Sequence, residues 1–133
     1  MCGILGGNNP NWNYNKGIEC MRHRGPDGIR VTVLEDFTLA FARLAIMDLS
    51  AHGMQPMFSA DHQVGIVFNG EIYGYQNIKA DLVKRGYQFQ STSDTEVVLN
   101  AYLEWGEKFI QKVDGMFGLA IYDNRDKSVK LFR

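Results

Sequence analysis

The stretch Val64-Gly65-Ile66-Val67-Phe68 is a short apolar run that leads directly into Asn69-Gly70-Glu71. Five such residues in succession are typical of a buried β-strand. An Asn-Gly pair after such a run is, taken alone, a strong signal for a type I′ hairpin turn. The same pair also offers a side-chain amide and a backbone N–H that no Cβ obstructs, and these groups could stabilise an oxyanion. Both interpretations stand at this point.

Helices are predicted downstream of this strand. Apolar residues at helical spacing between positions 78 and 83 predict a helix that stops at Gly86. Ser93-Asp94-Thr95-Glu96 fits the capping-box pattern, which predicts a second helix that continues to Gly106. Residues 109–113 predict one more short helix.

Strands are predicted on both sides of these helices. Upstream, residues 31–34 and 39–47 are predicted to be strands. Downstream, residues 116–122 and 128–132 are predicted to form a hairpin around the polar turn 123–127. Strands, then helices, then strands again indicate an α+β domain with largely antiparallel sheets.

The composition is that of an ordinary globular domain. The chain has 133 residues, a formal net charge of −1 and 45% hydrophobic residues, so one domain over residues 1–133 is expected. The small net charge gives no reason to expect nucleic acid or an anionic membrane as a partner. No apolar run reaches the ~18–20 residues that span a bilayer. Since no signal peptide is visible and only two cysteines are present, a cytoplasmic location is expected.

Other candidate residues are predicted to be structural. Metal-ligand spacing of the C-x-x-C or H-x-x-x-H type is absent among His23, His52 and His62, so no metal site is expected. Cys20 lies among apolar neighbours and is predicted to be a buried structural thiol. Gly115-Met116-Phe117-Gly118 has the character of a core strand and is predicted to serve packing.

Cys2 is the candidate nucleophile. A cysteine in the second position is small enough for Met1 to be removed, which would place a free α-amine on the residue that carries the thiol. Cysteine thiols (~8.5) and α-amines (~7.7–8.0) have closely matched pKa values, so the amine can act as the base for the thiol. Asn69-Gly70 could supply the oxyanion donors that acyl transfer needs. The alternative interpretation of Cys2 is an ordinary small residue near a frayed terminus.

A free amino acid as substrate would need one fixed cation and one fixed anion in the pocket. Arg43 interrupts the otherwise apolar run 39–47, which is an unusual place for a charge. Asp94 lies at a predicted helix N-terminus, where a carboxylate is stabilised. The alternatives are a charge that extends from an edge strand into water for Arg43 and a simple helix cap for Asp94.

Seven motifs occur in an order that resembles one family. Together they resemble the class II glutamine amidotransferase domain of the N-terminal-nucleophile hydrolases, and most closely the glutaminase domain of glutamine-hydrolysing asparagine synthetases. The resemblance covers the chain nearly end to end. The motifs are Cys2-Gly3-Ile4, His23-Arg24-Gly25-Pro26-Asp27-Gly28, Arg43-Leu44-Ala45-Ile46-Met47-Asp48, Gln55-Pro56, Asn69-Gly70-Glu71-Ile72-Tyr73, Ser93-Asp94-Thr95-Glu96 and Gly115-Met116-Phe117.

The resemblance implies a fold and a set of roles. The family fold is a four-layer αββα sandwich. Cys2, once Met1 is removed, would attack the side-chain amide of glutamine and form a thioester, with Asn69 and Gly70 as the oxyanion hole. Arg43 and Asp94 would hold the α-carboxylate and the α-amine of glutamine. Arg24 and Gly25 would support the turn beside the nucleophile, and the other pocket residues would be Leu44, Ala45, Ile46, Met47 and Glu71.

The resemblance also implies partners and shows departures. Gly74 stands where the family commonly has Asn, and Phe41 where it often has His. Family members continue beyond the strand that ends at Arg133, so the domain is expected to be truncated at its C-terminus and to lack the synthetase domain. No cofactor is expected in this domain, because ATP and Mg²⁺ would belong to the synthetase. The expected partners are glutamine, a synthetase domain or subunit that receives ammonia, and a possible second copy in a homodimer.

Two other functions remain open from the sequence. Strands missing at the C-terminus would leave an unpaired sheet edge, and such edges pair with other chains. The chain could therefore be a catalytically silent binding or assembly module. It could also be a class II amidotransferase of another pathway.

Overall fold

Two antiparallel sheets form the centre of the computed structural model, which describes residues 1–133. The first sheet has the order β1-β3-β2 and the second the order β4-β5-β6-β7. The strands are β1 (Gly3–Gly7), β2 (Gly28–Val33), β3 (Thr38–Arg43), β4 (Met57–Phe58), β5 (Val64–Tyr73), β6 (Asp114–Asp123) and β7 (Ser128–Phe132). The helices are α1 (Tyr14–Glu19), α2 (Tyr75–Lys84) and α3 (Asp94–Trp105), with 3₁₀ turns at Ala51–Gly53 and Gly106–Gln111.

Three apolar clusters separate four layers. Ile18 of α1 packs on Ala40 and Ala42 of the first sheet. Between the two sheets lies a second cluster, made of Leu39, Phe41, Val67 and Tyr122. The largest cluster has 13 buried residues, which join the second sheet to α2 and α3. The α+β class and the αββα layers predicted for this chain are therefore confirmed.

The residues that precede α2 and α3 account for where these helices begin. The Ser93 side chain caps α3 by accepting a hydrogen bond from the Glu96 N–H at 3.4 Å, as the capping-box pattern predicts. The Glu96 carboxylate binds the N–H groups of Gln90 and Ser91 at 2.8 and 2.7 Å. Gly74 precedes α2 in the left-handed region, with φ of 60°. Glycine and asparagine both adopt that conformation readily, which accounts for either residue at this position.

Two predicted elements have other bounds or another type in the structure, one burial prediction was wrong, and one alternative is excluded. The strand predicted over residues 39–47 ends at Arg43, and a loop over residues 44–50 follows it. The helix predicted over 109–113 is a 3₁₀ turn that continues directly from α3. Cys20 is exposed rather than buried. Asn69-Gly70 is not a hairpin turn, because β5 continues through it and pairs with β6 along ten residues.

At Gly70, in the middle of β5, the backbone of β6 leaves no room for a side chain. A Cβ atom at Gly70 would lie 2.3 Å from the carbonyl oxygen of Met116 and 2.5 Å from the Cα of Phe117. The φ of Gly70 is +155°, which L side chains rarely adopt. Only glycine therefore fits this position of the strand.

None of the helices has the length and apolar character that crossing a membrane requires.

Candidate active site

One cleft of about 410 Å³ opens at the end of the two sheets where Cys2 lies. Its wall is formed by residues from β3, the loop 44–50, β5 and the start of α3. The cleft brings together all the residues predicted to be catalytic or to bind substrate: Cys2, Arg43, Leu44, Ala45, Ile46, Met47, Asn69, Gly70, Glu71 and Asp94. The supporting residues Arg24 and Gly25 do not line it.

Cys2 is half-buried and held from three sides. Its Sγ accepts a hydrogen bond from the backbone N–H of Leu44 at 3.3 Å, and the Leu44 carbonyl oxygen lies 3.7 Å away. The Arg24 Nε donates to the Cys2 carbonyl oxygen at 3.2 Å. Gly25 lies against the backbone of Ala42, where an added Cβ would come within 2.2 Å of the carbonyl group. The thiol therefore has a defined position beside the first residue of the loop.

Arg43 ends β3 and turns into the cleft. Its Nη2 donates to the carbonyl oxygens of Asp48 and of Ser50, the latter at 2.8 Å. Both bonds use Nη2, so the Nη1 and Nε hydrogens of the guanidinium remain for a ligand. The loop thereby folds around the cation and keeps it in one orientation.

The loop 44–50 is tied down by two carboxylates. Asp27 accepts a hydrogen bond from the Ala45 N–H at 2.8 Å. Asp48 is buried and accepts from the Ser50 hydroxyl at 2.6 Å and from the Thr92 N–H at 2.9 Å. Hydrogen bonds lower the pKa of Asp48 to about 2, and the bond from the Ser50 hydroxyl contributes more than the bond from the Thr92 N–H. Asp48 is therefore an ionised link between this loop and the segment that precedes α3.

Asp94 is the first residue of α3 and is only 5% exposed. Its Oδ2 accepts a hydrogen bond from the Ile72 N–H in β5 at 3.1 Å. Burial raises the pKa of Asp94 above its usual value, and the Glu71 carboxylate adds to this rise. The N–H groups of Ile72 and Thr95 partly offset it. A buried anion of this kind favours a cationic ligand group in the cleft.

A family model for the glutamine amidotransferase domain matches residues 1–133. The chain belongs to this family. The amidotransferase domain is 44% identical over 108 residues to glutamine-hydrolysing asparagine synthetase 2 of rice, Oryza sativa subsp. japonica. That match covers 81% of this chain and 18% of the rice protein.

A second relative agrees with this assignment, and one solved structure has a similar fold. Glutamine-hydrolysing asparagine synthetase 3 of Arabidopsis thaliana is 39% identical over 135 residues, which covers 96% of this chain and 23% of that protein. The chain thus spans about a fifth of the length of these relatives. The glutamine phosphoribosylpyrophosphate amidotransferase of Bacillus subtilis, solved with ADP and GMP, superposes with a TM-score of 0.57 at 19% identity. This match covers 69% of this chain and 22% of the other, and it shows that the two proteins share a fold over that part.

Several residues of the amidotransferase domain line the cleft although sequence reasoning did not assign them to it. Met116, predicted to serve packing, lines the cleft and is 70% exposed. Gln55 and Thr95 contribute buried polar groups to the wall. Asp48 also lines it. All four residues belong to the seven motifs that resemble the family, and this is the only signal for them in the sequence.

The polar groups of the cleft suit an amino acid. Nowhere does the structure group three or more His, Cys, Asp or Glu side chains in a way that could hold a metal. The cleft instead combines a cation, Arg43, with an anion, Asp94, and a thiol. A zwitterion binds to such a pair, and a thiol beside it can attack an acyl group.

Proposed function

We propose that this domain hydrolyses the side-chain amide of glutamine, with Cys2 as the nucleophile. The observation that carries the proposal is the single cleft that contains Cys2, Asn69-Gly70, Arg43 and Asp94. Membership in the glutamine amidotransferase domain family supports glutamine as the amino acid. The other cysteine, Cys20, is exposed and lies outside this cleft.

Glutamine binds by its two charged ends. The α-carboxylate pairs with the free donors of Arg43, whose fork matches a carboxylate in geometry. The α-ammonium pairs with the Asp94 carboxylate. The side chain then extends along β5 toward Cys2, between Glu71 and the loop 44–50.

Amide hydrolysis proceeds in two steps. The Cys2 sulfur attacks the amide carbon, and the thiol proton passes through the α-amine of Cys2 to the leaving nitrogen, which departs as ammonia. A glutamyl thioester remains. Water then attacks the thioester, which releases glutamate and restores the thiol. The Asn69 side-chain amide and the Gly70 N–H stabilise the oxyanion in both steps.

The α-amine of Cys2 exists only after Met1 has been removed. Met1 is exposed and contributes to the mouth of the cleft. Its removal therefore supplies the base and enlarges the entrance. We further propose that the ammonia is consumed by an ATP-dependent amidation of the asparagine-synthetase type, in a domain or subunit that meets this cleft.

Glutamate and ammonia release from glutamine tests the proposal. The chain is prepared twice, once with Cys2 as its first residue after cleavage of a fusion and once with Met1 retained, as verified by intact-mass measurement. We expect equal amounts of glutamate and ammonia from the first preparation only. Cys2→Ala abolishes the release, while Cys20→Ala, which removes the exposed thiol outside the cleft, leaves it unchanged.

Two results contradict the proposal. One is a folded, Met1-free chain that releases no glutamate. The other is a Cys2→Ala variant as active as the wild type. Activity in the preparation that retains Met1 would contradict the role of the α-amine alone.

A further inference from the structure

Gln55 lies beside β5 at the point where β4 would continue if it were longer. Met57 pairs with Ile66 and Phe58 with Gly65, so the same register sets Gln55 opposite Phe68. Alternate residues of a strand present their N–H and C=O groups to the same side. Phe68 therefore presents its backbone groups to Gln55 as Ile66 does to β4.

The Gln55 side chain takes the place of a backbone partner at this position. Its Oε1 accepts a hydrogen bond from the Phe68 N–H at 2.6 Å, and its Nε2 donates to the Phe68 carbonyl oxygen at 3.2 Å. Only this orientation of the amide satisfies both groups, because the oxygen accepts and the nitrogen donates. The amide thus extends the ladder by one pair without extending β4.

A third hydrogen bond joins the same amide to α3. Nε2 also donates to the Thr95 Oγ1 at 3.1 Å. Thr95 directly follows Asp94, and Phe68 directly precedes Asn69. Gln55 and Thr95 are both buried, so leaving these groups without hydrogen bonds would be costly. One side chain therefore holds the residues next to both the anion and the oxyanion donors.

We propose that Gln55 is a positioning residue that sets Asn69-Gly70 relative to Asp94. This inference rests on the proposed glutaminase activity. The bonds to Phe68 fix β5 immediately before the oxyanion donors, and the bond to Thr95 fixes the start of α3. A displacement of ~1 Å in a catalytic site costs roughly 100-fold in rate, so the loss of Gln55 acts on catalysis without a contact to the reacting atoms.

Three variants distinguish the effect of the bonds to Phe68 in β5 from the effect of the bond to Thr95 in α3. Gln55→Glu keeps the size of the side chain but cannot donate to Phe68 or Thr95, and Gln55→Met removes all three bonds. Both are expected to lower kcat roughly 10- to 100-fold and to raise KM. Thr95→Val removes only the acceptor on α3 and is expected to raise KM roughly 3- to 10-fold with kcat unchanged.

Tyr102→Phe is the matched control. It also removes a buried hydrogen bond, from the Tyr102 hydroxyl to Asp123 at 2.8 Å, but Tyr102 is not part of the cleft. We expect a similar fall in Tm with kcat and KM unchanged. Kinetics are measured well below every Tm. Unchanged kcat and KM in folded Gln55→Met and Gln55→Glu would overturn the inference, as would an equal effect of Tyr102→Phe.

An NMR measurement keeps this test independent of the activity. The backbone amide resonances of Asn69 and Gly70 are expected to move in Gln55→Glu and to stay in place in Tyr102→Phe. If the wild type releases no glutamate, the proposed function fails and these resonances alone decide the positioning role. Unmoved resonances would then overturn it. If neither Gln55 variant folds, Thr95→Val decides, and an unchanged KM overturns the inference.

Discussion

The carboxylate of Asp94, the first residue of α3, accepts a hydrogen bond from the backbone N–H of Ile72 in β5 at 3.1 Å. Ile72 lies two residues beyond Gly70 on the same strand. The proposed ammonium-binding group and the proposed oxyanion strand are thus joined directly. Since Gln55 joins the same two elements on the other side of Asn69-Gly70, β5 is attached to the start of α3 both before and after these residues.

Asp94→Asn is expected to raise the KM for glutamine roughly 10- to 100-fold, because a charged hydrogen-bond partner of the α-ammonium is lost. Burial raises the pKa of Asp94. The contribution of this group to stability is therefore complete below the pKa of an unfolded aspartate and declines as pH rises through the folded value. The variant should consequently be at least as stable as the wild type at pH 7, as measured by Tm. Asp114→Asn, at an exposed carboxylate outside the cleft, should change neither quantity.

The acid limb of kcat/KM should report the raised pKa of Asp94. Protonation of the Cys2 α-amine already lowers kcat/KM below ~7.7. In the wild type we expect a second fall of kcat/KM, as pH decreases further, with a midpoint above the ~3.9 of an ordinary aspartate, because only the ionised carboxylate holds the ammonium. This fall should be absent in Asp94→Asn. A wild-type midpoint at or below ~3.9 would argue against Asp94 as the ammonium ligand.

Gly70→Ala is expected to destabilise the fold by about 2–4 kcal/mol, because the new methyl group meets the backbone of Met116 and Phe117 at a positive φ. Gly118→Ala is the matched control on β6, since nothing lies within 4 Å of its added Cβ. It should change the free energy of unfolding by less than ~0.5 kcal/mol. Urea denaturation measures both, and equal effects would show that close approach at Gly70 is not the cause.

Asp48→Asn is expected to lower the free energy of unfolding at pH 7 by about 1–3 kcal/mol, because an anion that accepts several hydrogen bonds is replaced by a neutral amide. The pKa of Asp48 is lowered to about 2. Its contribution is therefore present above the unfolded value, ~3.9, and is lost as pH falls through about 2.

The stability difference between wild type and Asp48→Asn should shrink over that acid range when unfolding is measured at several pH values. A difference independent of pH would mean that the charge of Asp48 contributes nothing. The variant should also raise the KM for glutamine, because the Asp48 carboxylate fixes the loop whose backbone carbonyl oxygens, at Asp48 and Ser50, bind Arg43.

Local signals predicted much of the fold because their causes are local. The Ser93 side chain caps α3 from within the same turn, so four adjacent residues are enough to predict the helix start. The β6–β7 hairpin is similar, because Ser128 to Phe132 follows β6 after a short polar turn. These elements form at the places that their own residues favour.

Local signals failed where a distant partner decided the outcome. Asn69-Gly70 favours a turn by itself, but ten ladder pairs with β6 outweigh that preference and keep β5 extended. The run 39–47 is apolar on both sides of Arg43, yet β3 ends at Arg43, where the guanidinium binds carbonyl groups of the loop that follows. In both places the contacts that decide the outcome are made with residues outside the predicted segment, and the periodicity of that segment cannot indicate them.

The sequence by itself determined the α+β class, the family and the chemical types of the site residues, because these depend on composition, order and local motifs. The tertiary structure alone decided that Gln55 reaches Phe68 and Thr95, and that Asp94 binds the strand that carries Gly70. Those contacts join residues 13 to 40 positions apart. They exist only after the second sheet and α3 have packed, since only burial brings such groups together and makes their hydrogen bonds obligatory.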